Sequence, residues 1–147
     1  MTTLKFAKVN PDATIPTKRK EDAGYDIYAC IPGVDSVVLN PGQIYVFPTG
    51  IASAFEPGYV AELRDKSSLA AKGITVLGGI IDSGYRGEWK ALLINLSKNS
   101  VELPTDKAIC QVIFKKLMDD TVEEIDYKEL RSISSERGGG GFGSTGK

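Results

Sequence analysis

Two cations and two hydroxyls lie close together at positions 64–68 of the segment 62–72, ELRDKSSLAAK. Alternation places Arg64 and Lys66 on one face of a predicted strand, and Ser67 and Ser68 follow at the start of a predicted helix. Cations, hydroxyls and the free N–H groups of a helix start all favour an anion, so the segment predicts a phosphate-binding site. The alternative is a surface strand followed by an ordinary serine N-cap.

A carboxylate follows a pair of glycines in residues 77–88, LGGIIDSGYRGE. Gly78 and Gly79 permit a tight hairpin with accessible peptide groups, which can read the edge of a flat ligand. Asp82 comes just past the apolar arm, where we expect its carboxylate to be held firmly and partly desolvated. The alternative is that Asp82 caps one turn and Gly84 forms a second.

The last seven residues, GFGSTGK, match most of a P-loop pattern, but the helix that a P-loop requires does not follow. Residues 137–147 contain six glycines, two basic residues and no acidic residue. Taken alone, this composition indicates a flexible linker or tail.

Histidine is absent from the sequence, which excludes several kinds of catalytic site. Ser-His-Asp and Cys-His catalysis, His-ligated zinc and the zinc nucleobase deaminases all depend on it. Cys30 and Cys110 lie far apart in apolar, strand-like stretches, which favours buried free thiols over a disulfide. The chemistry must therefore use carboxylates, hydroxyls, cations, backbone groups or a hard metal ion.

Short strands have to position these segments, because the apolar runs are brief and are separated by turn signals. Strands are predicted at residues 4–9, 25–29, 36–39, 44–47, 59–63, 89–95 and 109–114. Three Pro-Gly pairs predict type II turns. Short helices are predicted at residues 67–72 and near 127–131. Many short strands at close spacing predict an all-β sandwich or barrel.

The 147 residues suit one domain with a sizeable core, and the hydrophobic content of 41% is ordinary for a globular protein. The net charge is −1, so no overall field attracts nucleic acid or a membrane. The N-terminus does not resemble a signal peptide, and no apolar run approaches the ~20 residues that span a bilayer. We expect a cytoplasmic protein that binds neither nucleic acid nor membranes.

Five segments resemble, in order and spacing, the motifs of the trimeric dUTP nucleotidohydrolases, the dUTPases. They are DAGYDIYA at 22–29, RDKSSLA at 64–70, GGIIDSGYRGE at 78–88, TDKAICQVIF at 105–114 and RGGGGFGSTG at 137–146. The third and fifth are the most specific. The resemblance implies one domain over residues 1–136, a jelly-roll-like β-barrel of the dUTPase type. It also implies a flexible glycine-rich C-terminal arm over residues 137–147.

The resemblance also implies a reaction, in which dUTP and water give dUMP and pyrophosphate with Mg²⁺ on the triphosphate. Three active sites would lie at the subunit interfaces of a homotrimer. Asp82 would orient and activate the water that attacks the α-phosphorus. A carboxylate of pKa about 4 is a weak base toward water of pKa about 15.7, so we expect positioning and late proton transfer. Asp26 would contact Mg²⁺ through its water shell.

By the same resemblance, Ser67 would bind the phosphate chain beside Ser68, and Gln111 would contact the α-phosphate side. The commonest second motif has arginine directly before its serine, whereas this chain has Lys66 there and Arg64 two residues earlier. Lysine is a point charge and not a bidentate fork. We expect Lys66 near the substrate and Arg64 in support.

Base and sugar selection is expected at the predicted hairpin. Main-chain groups of Gly79, Ile80 and Ile81 would match the N3–H donor and the carbonyl acceptors of uracil, and thymine would be rejected by lack of room at C5. Tyr85 resembles the tyrosine that packs under the deoxyribose and leaves no space for a 2′-hydroxyl.

The glycine-rich arm would close over the bound nucleotide. Phe142 would stack on the uracil ring, and Arg137, with Ser144 and Thr145, would hold the γ-phosphate. Gly143 and the other glycines would let the arm become ordered around the ligand.

Three other interpretations stay open at this point. A dCTP deaminase shares the fold but needs a glutamate base and a cytosine-reading pocket. A regulatory protein would use the nucleotide as a signal, and a purely structural jelly roll would bind none. Trp89 is expected in the core, with a share in the lid as its alternative.

Overall fold

A computed structural model describes residues 1–144. Within that span most of the regular secondary structure consists of short strands. In chain order they are β1 (Lys5–Lys8), β2 (Tyr25–Tyr28), β3 (Ser36–Leu39), β4 (Ile44–Pro48), β5 (Ile51–Ala54), β6 (Tyr59–Arg64), β7 (Ile74–Leu77), β8 (Ile80–Asp82), β9 (Lys90–Asn95), β10 (Val101–Pro104) and β11 (Ala108–Lys116). Two short helices accompany them, α1 (Ser67–Ala70) and α2 (Tyr127–Ser132). The predicted all-β class and both predicted helices are confirmed.

The strands pair antiparallel in two main sheets and two smaller pairs. The sheets have the orders β2-β11-β6-β8 and β4-β9-β7, while β1 pairs with β5 and β10 with β3. In the four-stranded sheet, Gln111 of β11 lies opposite Asp26 of β2 on one side and Arg64 of β6 on the other. This register brings residues of the first, second and fourth motifs to one place.

The core lies between the sheets and follows the alternation of the strands. Along β9, Ala91, Leu93 and Asn95 are buried, while the residues between them are only partly covered. Trp89 is 0% exposed, lies edge-on to Phe6 with ring centroids 5.4 Å apart, and donates from Nε1 to Ser53 Oγ at 3.0 Å. The expected core role of Trp89 is confirmed, and its complete burial removes it as a lid over a ligand.

The predicted turns and thiols also agree with the structure. Gly33, Gly42 and Gly58 have φ of 79°, 77° and 89°, as the second central position of a type II turn requires. Cys30 and Cys110 are buried free thiols.

Residues 117–144 lie outside the core. The Leu117 N–H donates to Gly58 O at 2.8 Å, and from residue 118 to residue 144 no side chain is buried. The division of the chain at residue 136 and the flexibility of the arm stay predictions. Between residues 1 and 144, no helix is long and apolar enough to cross a membrane.

Candidate active site

A cavity of about 730 Å³ opens where the start of β2, the segment after β6 and the middle of β11 meet. Its lining contains ten residues: Arg19, Glu21, Asp22, Ala23, Gly24, Asp26, Asp65, Lys66, Ser67 and Gln111. Four of them, Asp26, Lys66, Ser67 and Gln111, belong to the predicted site. The structure therefore brings together residues that are up to 85 positions apart in the sequence.

Lys66 lies inside this cavity and is paired with Asp26. Its Nζ is 2.7 Å from Asp26 Oδ1, and both side chains are about one third exposed, at 32% and 37%. A pair this open to water contributes little stability, so either partner can be exchanged for a ligand.

Arg64 differs from its predicted placement. The strand β6 ends at Arg64, so Lys66 is not on the same strand face but follows in the segment before α1. Arg64 is exposed and lines a separate small pocket with Thr75 and Val76. Ser68 is exposed in the first turn of α1, beside Ser67.

The Gln111 side chain lies between the residue that follows β6 and the residue that precedes β2. Its Nε2 donates to the backbone oxygen of Asp65 at 2.8 Å. On the other side, a Cβ at Gly24 would overlap Gln111 Oε1, so a larger residue there would displace the Gln111 amide. One amide hydrogen of Gln111 remains for a ligand.

The charges around the cavity are predominantly negative. Four carboxylates and two cations line it: Glu21, Asp22, Asp26, Asp65, Arg19 and Lys66. Arg19 Nε and Nη2 donate to the Asp22 carboxylate at 2.9 and 3.0 Å, and this bidentate hydrogen bond lowers the pKa of Asp22. A polyphosphate would therefore need further cations in order to bind here.

The third motif lines a different cavity, of about 220 Å³, which includes Ile80, Ile81, Asp82 and Tyr85. Gly78 and Gly79 do not form the predicted hairpin. The strand β7 pairs with β9 and the strand β8 pairs with β6, so these two glycines carry the chain from one sheet to the other. We call residues 77–80 the glycine corner.

The glycine corner is tightly fixed against β6. Leu63 N–H donates to Gly79 O at 2.8 Å, and a Cβ at Gly79 would lie 2.9 Å from Leu63 O. Gly78 and Gly79 have φ of 64° and 89°, which favour glycine. Ile80, the last residue of the corner, is 61% exposed.

Asp82 differs from its expected environment. It is the last residue of β8, opposite Val60, and its side chain is exposed in the single chain, neither firmly held nor desolvated. Its backbone oxygen accepts a hydrogen bond from Tyr85 N–H at 3.1 Å, which starts the turn after β8.

Tyr85 folds back over the turn that carries it. Its hydroxyl donates to Glu88 O at 3.1 Å, and a Cβ at Gly87 would lie 2.5 Å from the same hydroxyl. The ring is 45% exposed, so one side of it is available to a ligand.

Asp82 and the first cavity lie at opposite ends of β6. Asp82 is opposite Val60, whereas Gln111 is opposite Arg64. Four residues of strand separate the two levels by about 13 Å. A single chain therefore does not place Asp82 and Gln111 around one phosphorus atom.

The described part of the arm is folded on itself. Arg137 Nε donates to Gly140 O at 2.6 Å, and Ser144 N–H donates to Gly141 O at 3.1 Å. Phe142 is fully exposed, and none of Arg137, Phe142, Gly143 and Ser144 lines either cavity. Thr145 lies outside the described residues.

Six lining residues of the first cavity were not among the predicted site residues: Arg19, Glu21, Asp22, Ala23, Gly24 and Asp65. Arg19 belongs to a basic run that reads as an exposed loop, and Asp65 stands between the two cations of the second motif. Asp65 could have been singled out from the sequence, because an acidic residue is unexpected inside a predicted anion site. Across residues 1–144, no three His, Cys, Asp or Glu side chains are close enough to hold a metal ion by themselves.

The fold and the two cavities define a class, an antiparallel β-barrel protein whose polar, charged cavity suits a phosphorylated ligand that arrives with cations. Comparison with known proteins gives the family: the dUTPase family model matches residues 11–146, and the chain belongs to the dUTPase family.

Relatives match over their full length. The deoxyuridine 5′-triphosphate nucleotidohydrolase of Nautilia profundicola is 43% identical over 98% of this chain and 99% of its own. That of Clostridioides difficile is 44% identical over 99% of both chains. The structure of the Staphylococcus bacteriophage 80alpha dUTPase with dUPNHPP has a TM-score of 0.84, at 25% identity and 99% coverage of both chains. The predicted dUTPase-type barrel is confirmed.

Proposed function

We propose that the protein hydrolyses dUTP to dUMP and pyrophosphate. This reaction would limit uracil incorporation into DNA and supply dUMP for thymidylate synthesis. In a chain of the dUTPase family, the observation that carries the proposal is the convergence of Asp26, Lys66, Ser67 and Gln111 on one cavity.

The first cavity binds the phosphate chain in this proposal. The Ser67 hydroxyl and the Lys66 ammonium contact phosphate oxygens near the scissile bond, with Ser68 beside them. The free amide hydrogen of Gln111 is directed at the α-phosphate. Arg64, which lies outside the cavity lining, acts only in support.

The chemistry of the cavity fits Mg²⁺ held with the substrate. The carboxylates outnumber the cations, Asp26 is partly exposed, and no three acidic side chains among residues 1–144 lie close enough for direct chelation. Such a carboxylate suits hydrogen bonding to the water shell of an ion carried by phosphates. Bound in this way, Mg²⁺ supplies charge neutralisation for the triphosphate. Asp26 and Lys66 then separate, because Lys66 pairs with phosphate instead.

Asp82 orients the attacking water, and the site is completed between chains. Asp82 and Gln111 are separated by about four strand residues along β6, roughly 13 Å, which supports a site in which they come from different chains. In a homotrimer with three interfacial sites, Asp82 of one subunit would face the phosphate cavity of the next. Positioning and charge stabilisation then carry most of the rate enhancement.

An apolar outer sheet face supports this assembly. Ile44 and Val46 of β4 are each 52% exposed and lie beside Ile94 and Leu92 of β9 on the same face. Neighbouring exposed aliphatic side chains on a sheet suit burial against another protein surface, here a second copy of the chain.

The glycine corner and the arm select and enclose the nucleotide. Main-chain groups of Gly79, Ile80 and Ile81 read the uracil edge, and Tyr85 packs against the deoxyribose. The exposed Phe142 stacks on the base. Arg137, Ser144 and Thr145 hold the γ-phosphate, and Gly143 permits the closing movement.

The test is turnover of a nucleotide panel with Mg²⁺. We expect pyrophosphate from dUTP and little from dCTP, dTTP or UTP. Asp82→Asn is expected to lower kcat by at least about 10²-fold while dUPNHPP still binds, because the carboxylate acts on the water. The matched control is Asp35→Asn, an exposed carboxylate away from both cavities.

Other products would point elsewhere. Ammonia released from dCTP would replace this assignment with a deaminase. A wild-type protein that binds dUPNHPP tightly but releases no pyrophosphate from dUTP would be a nucleotide sensor. Absence of nucleotide binding would leave only a structural barrel.

A further inference from the structure

The segment that carries the proposed phosphate ligands is closed at its base by one side chain. Asp65 and Thr75 flank residues 66–74, which we call the phosphate loop. Thr75 Oγ1 donates to Asp65 Oδ2 at 2.8 Å, and Val76 N–H donates to Asp65 Oδ1 at 2.7 Å. Both ends of the phosphate loop are thereby tied together.

The backbone of Asp65 makes a further connection, because its oxygen accepts the hydrogen bond from Gln111 Nε2 at 2.8 Å. One residue thus links the end of β6, the start of β7 and the middle of β11. The strands β6 and β7 belong to different sheets, so the hydrogen bonds of Asp65 connect the two sheets. The hydrogen bond from Leu63 N–H to Gly79 O also ties β6 to the glycine corner.

The helix α1 cannot fix the phosphate loop by itself. It has four residues, its N-cap Lys66 makes no side-chain cap bond, and it contains no buried residue. A single turn of helix is unstable without external contacts. Leu69 packs partly buried against the core and Lys66 pairs with Asp26, and the other contacts that hold the turn come from the residues that flank it.

We propose that Asp65 is a positioning residue, which holds Lys66, Ser67 and Gln111 in the arrangement that receives the phosphates. The inference rests on the proposed function for what those three residues bind. The charge of Asp65 itself opposes anion binding, since the cavity already contains Glu21, Asp22 and Asp26. Its contribution has to be geometric.

A positioning role and a purely electrostatic role of Asp65 predict opposite changes in ligand affinity for Asp65→Ala. If the carboxylate acts only through its charge, its removal tightens binding of dUPNHPP and of pyrophosphate. If it positions the loop, its removal loosens both, by about tenfold for the loss of two hydrogen bonds. We expect loosening, with a rise in KM for dUTP larger than the fall in kcat.

Matched variants separate these effects further. Asp65→Asn removes the charge but keeps an oxygen for Val76 N–H and an amide for Thr75 Oγ1, so we expect affinity close to wild type. Thr75→Val should weaken binding less than Asp65→Ala, and Thr75→Ser should restore it. Asp35→Ala is the control.

Amide hydrogen exchange of residues 66–74 provides a readout that does not depend on nucleotide. We expect faster exchange in Asp65→Ala and near-normal exchange in Asp65→Asn. Unchanged or tighter ligand binding in Asp65→Ala, or unchanged exchange of the loop, would overturn the inference. Failure of wild type to hydrolyse dUTP would instead refute the proposed function, and the exchange result would still stand.

Discussion

Cys110 shows how burial sets the chemistry of a residue beside the site. It precedes Gln111 in β11, is 0% exposed, and has its pKa raised to about 12, mainly by burial and further by the charges of Asp65 and Asp26. At neutral pH the thiol is therefore protonated and a poor nucleophile. It fills the core beneath the first cavity and takes no part in the reaction.

The same shift predicts how stability depends on pH. Below pH 9 the Cys110 thiol is protonated in both states, but between pH 9 and 12 only the unfolded chain loses the proton. The free energy of unfolding should then fall by at most about 1.4 kcal/mol per pH unit from this group. Urea unfolding of wild type and Cys110→Ala between pH 8 and 10.5 measures it.

The stability difference between these two proteins should shrink as the pH rises. Cys30 remains in both proteins, so its own raised pKa cancels in the comparison. Parallel pH profiles for the two proteins would contradict the shift.

At the residue scale, the sequence was informative where side-chain type alone carried the chemistry. Asp26, Lys66, Ser67 and Gln111 were predicted and do line one cavity. The environment predicted for Asp82, firmly held and partly desolvated, differs from its exposed position in the single chain, because exposure depends on how the strands pack.

At the scale of elements, the glycine corner is sensitive to a single methyl group. Gly78 and Gly79 both have positive φ, but only at Gly79 would a Cβ meet backbone, at 2.9 Å from Leu63 O. We expect Gly79→Ala to destabilise the fold by about 1–3 kcal/mol more than Gly78→Ala. Urea unfolding of the pair tests this, and equal losses would show that the corner relaxes freely.

Strand pairing explains why the predicted hairpin and the predicted set of strands differ from the structure. Two glycines before an apolar run predict a hairpin locally, yet β7 and β8 join different sheets. The strands β5 and β10 were missed because they are short and contain Ser53 or Pro104, which are poor strand formers. Ser53 is tolerated inside because it accepts the Trp89 Nε1 hydrogen bond.

At the scale of the whole molecule, the proposed trimer with shared sites predicts recovery of activity by mixing. Asp82→Asn and Ser67→Ala each disable one half of a shared site. After joint unfolding and refolding at equal amounts, random trimers should contain about one quarter of their sites with both halves intact. Activity near that fraction of wild type is expected, and light scattering should give about 47 kDa, three times the 15.8 kDa of the chain.

Separately refolded variants, mixed only afterwards, are the control and should stay inactive if subunits do not exchange. Absence of recovery in the jointly refolded sample, with trimers formed, would mean that one chain supplies both halves.

The separation of the two half-sites along β6 has a genetic consequence. In the proposed trimer, each chain contributes residues to two of the three active sites, one at either end of β6. A chain that carries both Asp82→Asn and Ser67→Ala therefore inactivates two of the three sites of its trimer. About one third of the activity remains, because both partner chains are normal. Co-expressed with the normal protein, such a chain acts as a dominant inhibitor, because it folds normally and enters trimers with normal chains.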